Sequence, residues 1–577
     1  LGERTGRHYG LVDYHGAADA ERVIVVMGSG SGAVAETVDA LVASGEKVGM
    51  VTVRLFQPFP AQAFVAALPP TVRSVAVLDR TKEPGTVGEP LYLTVLTALT
   101  EAMDAAADAG ARAPFAKMPR VIGGRYGLSS KEFAPSAVAP IFTELAAERP
   151  KRHFTVGIYD DVTNLSLPID HDFTVPRPVG EIHSVFFGLG SDGTVGATRS
   201  SVSIIGDHTD RFAQGFFVFD SKKAGSVTVS HLRFGPEPIR STYLIGKADL
   251  VACHQFGLLE KMKVLDHARP GAILLINAHD PEHLWDQFTR ETQEQVIAKQ
   301  LVIWAIDATK VARVAGVGRR INTVMQPCFF QLAGIIPPEE AIAAIKADVE
   351  RKYGKRGRAL VERNLAAIDG AIGALVRVPV PTEVTSSRTK RPLVPESAPE
   401  FAKRVTARLM AGDGDLLPVS ALPVDGEFPT GTAVYEKLSI AEEIPIWDPS
   451  ICIDCGKCAI VCPHAAIRMK VYEPDALAGA PDGFKDKPFK SRDLPGHRLT
   501  VQVAPDDCTG CGVCVDVCPA RSKSEVRHKA INMRPADEHR AVERERWNHF
   551  LQIPPLDRSL VAHDTVKGSQ LLEPLFE

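Results

Sequence analysis

The chain has 577 residues, 66 of them Lys or Arg and 70 Asp or Glu, and its formal charge of −4 gives no electrostatic case for a nucleic-acid or membrane-surface partner. A composition of 45% hydrophobic and 24% charged residues reads as globular structure throughout, with room for about three to five domains. The longest apolar runs, Val23–Met27 and Ala272–Ile276, are strand-sized and far below a membrane span; no secretory signal precedes them, and the expected location is the cytoplasm.

Leu1 is not an initiator methionine and residues 1–18 read as the tail of an upstream fold, so the chain is expected to be a piece of a longer protein. Arg22–Met27 (RVIVVM) is a continuous β-rich run, followed by Gly28-Ser29-Gly30-Ser31-Gly32 and an amphipathic stretch, Ala33–Ser44. Strand, glycine turn and helix open a doubly wound α/β unit; Val48–Leu55 and Val72–Asp79 add strands, which gives a first domain over 1–150. The glycines could cradle a phosphate. A tight turn against a neighbouring domain is preferred, because the spacing is not that of a dinucleotide fingerprint and no acid ends the next strand. Asp79–Gly85 is a charged loop at a strand end, read either as functional or as a salt-bridged domain contact.

A second α/β domain is expected over 151–370. The strand Glu181–Phe187 runs into Gly188-x-Gly190-x-x-Gly193 and a helix-like segment Thr194–Ser203, which matches the dinucleotide spacing more closely, with Asp207 or Asp220 as the following acid. Lys222 and Lys223, at the end of the Gly215–Phe219 strand, suit phosphates better than a ribose diol. Leu250–Cys253, Ile273–Ile276 and Val302–Asp307 continue the strand series. His231 and Arg233 share one face of Val227–Phe234 and receive no role. Residues 371–429, rich in Pro, Ser and Thr with the basic cluster Arg388–Arg391, read as a linker or wrapping arm.

The strongest chemical signal lies in 430–550. Cys452, Cys455, Cys458 and Cys462, followed by Pro463, and then Cys508, Cys511, Cys514 and Cys518, followed by Pro519, each have the C-x-x-C-x-x-C-x-x-x-C-P spacing that ligates [4Fe–4S] clusters. In two-cluster ferredoxins the fourth cysteine of each run serves the other cluster, so Cys452, Cys455, Cys458 and Cys518 are assigned to one cubane and Cys508, Cys511, Cys514 and Cys462 to the second. Zinc knuckles and disulfide frameworks have different spacings and contexts. Gly456, Gly510 and Gly512 allow tight loops, and Ile451, Ile453, Ile460, Val513 and Val517 are expected to keep water off the clusters. A Gly/Pro/Asp/Lys-rich insertion around Ala478–Gly496 reads as a surface loop, and Ala536–Leu551 as a charged helix. The remaining cysteines, Cys253 and Cys328, read as buried thiols. The fold class is therefore multidomain α/β: two doubly wound domains, an extended linker and a two-cluster ferredoxin-like α+β domain.

The segments LDRTKEPGTVGEPLY (78–92), GRYGLSSKEF (124–133), GLGSDGTVGA (188–197) and FDSKKAGSVTVSHLRFG (219–235), with the double cysteine motif, together resemble pyruvate:ferredoxin (flavodoxin) oxidoreductases over essentially the whole chain. The resemblance implies oxidative decarboxylation of pyruvate with coenzyme A to acetyl-CoA and carbon dioxide, single electrons leaving through clusters to ferredoxin or flavodoxin. It implies a transketolase C-terminal-like domain at 1–150 and a gamma-type coenzyme A-binding domain at 151–370, with Gly188, Gly190, Gly193, Lys222 and Lys223 as contacts. Residues 551–577 would lead towards a thiamine diphosphate domain. Thiamine diphosphate, Mg and a third [4Fe–4S] cluster would belong to the complete enzyme, expected to be a homodimer, and not to these residues. The alternatives are another 2-oxoacid:ferredoxin oxidoreductase or a non-catalytic iron–sulfur electron-transfer subunit.

Overall fold

The structure is a computed structural model, described here for residues 2–190, 192–219, 226–318, 320–491 and 494–572. The first sheet has six strands in the order Val12–Gly16, Val48–Val53, Arg22–Met27, Ser74–Asp79, Arg120–Arg125, His153–Thr155, and only Val12–Gly16 runs antiparallel to its neighbour. Val23, Ile24, Val25 and Val26 of the central strand are buried on both faces. Each such side chain contributes about 1.5–3 kcal/mol by leaving water, so an uninterrupted apolar run is what a strand covered on both sides requires. Helices Gly30–Ala43 and Pro135–Ala146 cover one face; Ala61–Ala67 and Pro90–Asp108 cover the other. The order reverses at Arg22–Met27, so the Gly28–Gly32 turn and the loop after Asp79 flank the switch point of the sheet.

The second sheet has seven strands: Val376–Val378, Val302–Ile306, Ala268–Asn277, Ala248–Cys253, Ile182–Leu189, Val227–Gly235, Phe212–Phe219. The four strands from Val302–Ile306 through Ile182–Leu189 are parallel and the outer ones are antiparallel to their neighbours. Phe212–Phe219 and Val227–Gly235 form an antiparallel hairpin, because their connection is too short for the crossover that parallel pairing needs. Asp220, Ser221, Lys222 and Lys223 lie outside the described residues.

The arm after Val378 binds both α/β domains. Gln293 Oε1 accepts from the amides of Thr385 and Ser386, Lys263 pairs with Asp413, Lys131 pairs with Asp415, and Ser420 binds Asp161. In the cysteine-rich domain Glu443–Trp447 pairs with Ile531–Pro535, and Ile467–Tyr472 pairs with Arg498–Val503. The helix Ala536–Gln552 packs across these small sheets. Val561 and Leu571 are buried in the same core, so the chain from the helix to Leu571 packs on this unit.

Candidate metal centres

Each cysteine loop turns on two residues of positive φ. In Cys452–Cys458 these are Asp454 at 60° and Gly456 at 71°; in Cys508–Cys514 they are Gly510 at 72° and Gly512 at 73°. The left-handed steps fold each loop so that its first two cysteines precede, and its third opens, the helices Lys457–Ile460 and Val513–Val517. Because the two helices pack together, the fourth cysteine of each motif is delivered to the opposite loop. One hollow of about 370 Å³ is lined by Cys452, Cys455, Cys458 and Cys518, and a second of about 330 Å³ by Cys508, Cys511, Cys514 and Cys462.

All ten thiols are free. Burial pushes the Cys458 thiol up to about 12, and neighbouring Cys452, Cys455 and Cys518 add to the rise. Cys514 is raised by burial first and then by Cys508, Cys511, Cys458 and Cys462. Crowded thiols in a dry setting suit a polynuclear cation that takes up their negative charge on ligation. No three ligand side chains among the described residues close on a single ion.

The shielding expected of Ile453 and Ile460 is corrected by the structure. They are 61% and 49% exposed, because the loop turns its non-ligand side chains outwards. Val513 is also exposed, at 39%. Ile453 still lines the first hollow and Val513 the second, but most of the dry wall comes from elsewhere, with Met469, Val501, Ala530 and Ile531 at the first hollow and Ile467 and Met533 at the second.

Sequence reasoning also missed the insertion. Lys485 Nζ donates to Trp447 O at 2.7 Å, and Lys487 Nζ donates to Asp454 Oδ1 at 2.8 Å and to Cys452 O. Two lysines two residues apart, Lys485 just before the short strand Lys487–Pro488 and Lys487 on it, thus clamp the approach to the first loop, and the Lys487–Asp454 pair is almost wholly buried. The signal in the sequence was Lys-x-Lys within an otherwise loop-like run.

At the second domain's glycine turn the structure brings Leu189 beside Val227, and Phe219 beside Thr228, so the end of Ile182–Leu189 and the hairpin tip share one sheet edge. Several of the turn's amides are already engaged. Asp192 accepts from the amides of Leu189 at 2.7 Å and Thr194 at 2.8 Å, and Gly190 N donates to Ser226 O. Gly193 takes φ 87°, and a Cβ there would lie 2.7 Å from Asn322. His231 and Arg233 are buried; Arg233 donates to Gln214 Oε1 and Tyr243 O, which makes it a structural strut.

The Gly28–Gly32 turn is a domain contact. Thr242 Oγ1 donates to Ser29 O, Glu36 accepts from Ser241 and Tyr243, and Arg240 pairs with Asp39. Asp79 is buried and accepts from the amides of Leu91 and Tyr92, which holds the start of the helix Pro90–Asp108.

Family models match four stretches: "Pyruvate:ferredoxin oxidoreductase core domain II" at 20–114, "Pyruvate ferredoxin/flavodoxin oxidoreductase" at 184–374, a domain of unknown function at 387–441 and "4Fe-4S dicluster domain" at 451–522. The chain is 50% identical to a pyruvate-flavodoxin oxidoreductase of Nostoc sp., over 100% of this chain and 49% of that protein. It is 52% identical to one of Trichormus variabilis, over 100% of this chain and 48% of the other. A pyruvate:ferredoxin oxidoreductase of Moorella thermoacetica is 47% identical, over 99% of this chain and 47% of its own length. The chain therefore spans about half the length of the curated relatives it matches.

Proposed function

Since homology along its whole length places the chain in the pyruvate-flavodoxin oxidoreductase family, we propose that it carries the electron-transfer part of the oxidative decarboxylation of pyruvate with coenzyme A, delivering single electrons to ferredoxin or flavodoxin. The observation that carries this reading is the pair of four-thiol hollows, each combining three cysteines of one motif with the fourth of the other. Cys452, Cys455, Cys458 and Cys518 would hold one [4Fe–4S] cluster, and Cys508, Cys511, Cys514 and Cys462 the other. A bound cluster supplies one-electron redox chemistry at a potential set by burial and by hydrogen bonds to sulfur.

The residues of this chain bind and insulate. The thiolates fix position, the sheet side chains keep water from the inner faces, and the exposed rim at Ile453, Ile460 and Val513 leaves a side on which a soluble carrier can approach. Anaerobic reconstitution of the full chain should give about eight irons and eight sulfides. About four, or stoichiometric zinc, would overturn the reading.

We further propose coenzyme A as the ligand of the second domain, at the sheet edge of Gly188, Gly190 and Gly193, together with Lys222 and Lys223, which follow the strand Phe212–Phe219 in the sequence. Support comes from the shared edge and the family relationship. The engaged amides of Leu189, Gly190 and Thr194 count against a phosphate lodged in the turn itself, so the lysines would have to supply the charge. Calorimetric titration of the full chain tests this: replacing both lysines with Ala should weaken coenzyme A by roughly 1.5–3 kcal/mol for each ammonium–phosphate hydrogen bond removed. Unchanged affinity would remove the site. No residue here is assigned to thiamine diphosphate, Mg or a third cluster.

A further inference from the structure

Trp447 ends the strand Glu443–Trp447 and lines the hollow of Cys452, Cys455, Cys458 and Cys518. The residue is 5% exposed, and its indole Nε1–H is a buried donor without a well-formed hydrogen bond in the protein. A buried donor left unpaired costs about 1–3 kcal/mol, so such an N–H on the wall of a thiol-lined hollow points to an acceptor that becomes a strong one on ligation, a cysteine thiolate. The ring is held in place from behind. The backbone of Trp447 pairs with Ile531 in the ladder, and its carbonyl accepts from Lys485 at 2.7 Å. The indole lies within reach of the Cys452 side chain.

We propose that Trp447 sets the reduction potential of the cluster in this hollow by donating its indole N–H to the sulfur of the Cys452 corner. The inference rests on the ligand assignment proposed above. Reduction adds negative charge to a cluster and its sulfurs, and a hydrogen bond to one of those sulfurs favours the reduced form. The second hollow has no indole among its described lining residues; its polar wall is formed by His464 and Thr509. The two clusters are thereby given different potentials by their surroundings although their ligand spacings are identical.

The test uses the anaerobically reconstituted full chain. In Trp447→Phe, iron and sulfide should stay at the wild-type level. The potential of the cluster bound by Cys452 should fall by about tenfold in its reduction equilibrium, 59 mV for a one-electron couple, and the other cluster should not move. In wild-type protein carrying ¹⁵N-indole tryptophan, the reduced cluster should show a nitrogen hyperfine coupling and an exchangeable-proton coupling. Trp285, Trp304 and Trp547 line neither hollow, so the coupling reports Trp447. This measurement needs no variant and decides the matter if Trp447→Phe does not assemble. Two intact clusters with no coupling, or equal shifts in both potentials, would overturn the role of Trp447. Absence of the cluster in wild-type chain would instead overturn the ligand assignment.

Discussion

The loops Cys452–Cys458 and Cys508–Cys514 have the same ligand spacing and the same two left-handed steps, yet they are stabilised differently. At the first step one loop has Asp454, whose carboxylate is tied to Lys487, and the other has Gly510, where a Cβ would come to 3.0 Å from Glu443 O. Asp is among the few residues that tolerate this conformation, and glycine is the least strained choice where a carbonyl closes over it. Gly456 packs against the backbone of Val566 and Lys567, while Gly510 packs against Ala441 and Glu443. The contrast teaches that ligand spacing fixes the inner geometry of a cluster loop, and that its charge and neighbours come from distant parts of the chain.

The largest expected effect breaks the two hollows apart. Cys518→Ser should abolish the cluster held by the first loop, and Cys462→Ser the one held by the second, each losing about four irons. Electron paramagnetic resonance of the reduced chain identifies which signal disappears; loss from the variant's own motif would refute the crossing.

Next in size is the buried pair. Lys487→Met leaves the Asp454 carboxylate buried without its partner and should destabilise the first loop by about 3 kcal/mol, while the second loop is unaffected. The denaturant midpoint of each cluster's absorbance reports the difference. Adding Asp454→Asn should restore part of the loss, because the two changes are coupled.

A pH series shows where the scaffold, and not a loop, is weakest. Burial, followed by His267 and Arg233, lowers the His231 imidazole to about 3. The unfolded chain takes up a proton below about 6.5 and the folded chain does not until about 3, so this contribution is complete above 6.5 and is lost as the pH falls between those values. At pH 5 the loss should be about 2 kcal/mol from this group. Tryptophan fluorescence of Trp285 and Trp304 during unfolding at pH 7.5 and pH 5 measures it, and comparisons between the loops belong above pH 6.5.

The smallest change sharpens the contrast most finely. Gly510→Ala should cost about 1–2 kcal/mol through its 72° φ and its approach to Glu443 O, with both clusters still assembled. Its measure is the midpoint shift of the second cluster alone.

What could be read in the sequence was whatever repeats with a short period. RVIVVM gave its strand to the residue, and the cysteine spacings named the eight cysteines among the residues that line the two hollows. The Phe212–Phe219 hairpin was not legible as such, because a half-exposed apolar strand looks the same whether its neighbour is parallel or antiparallel. Lys485, Lys487 and Trp447 were not legible either. Their role depends on which carbonyl or hollow the fold sets against them, and the insertion's composition indicated only that it was polar. The outward turn of Ile453 and Ile460 has the same origin, since an apolar residue between ligands gives no indication of which way the loop faces.

Gly32 acts as a spacer. A Cβ on it would lie 2.3 Å from Arg240 O, so the first two domains meet there with only main chain between them. A single methyl group would work as a wedge, prising open the junction that Glu36 and Asp39 secure around it. A glycine run that lets backbone close on a phosphate will equally let backbone close on backbone. Such a run after a strand therefore measures how near a surface must come, and says nothing of whether that surface is a nucleotide or another domain.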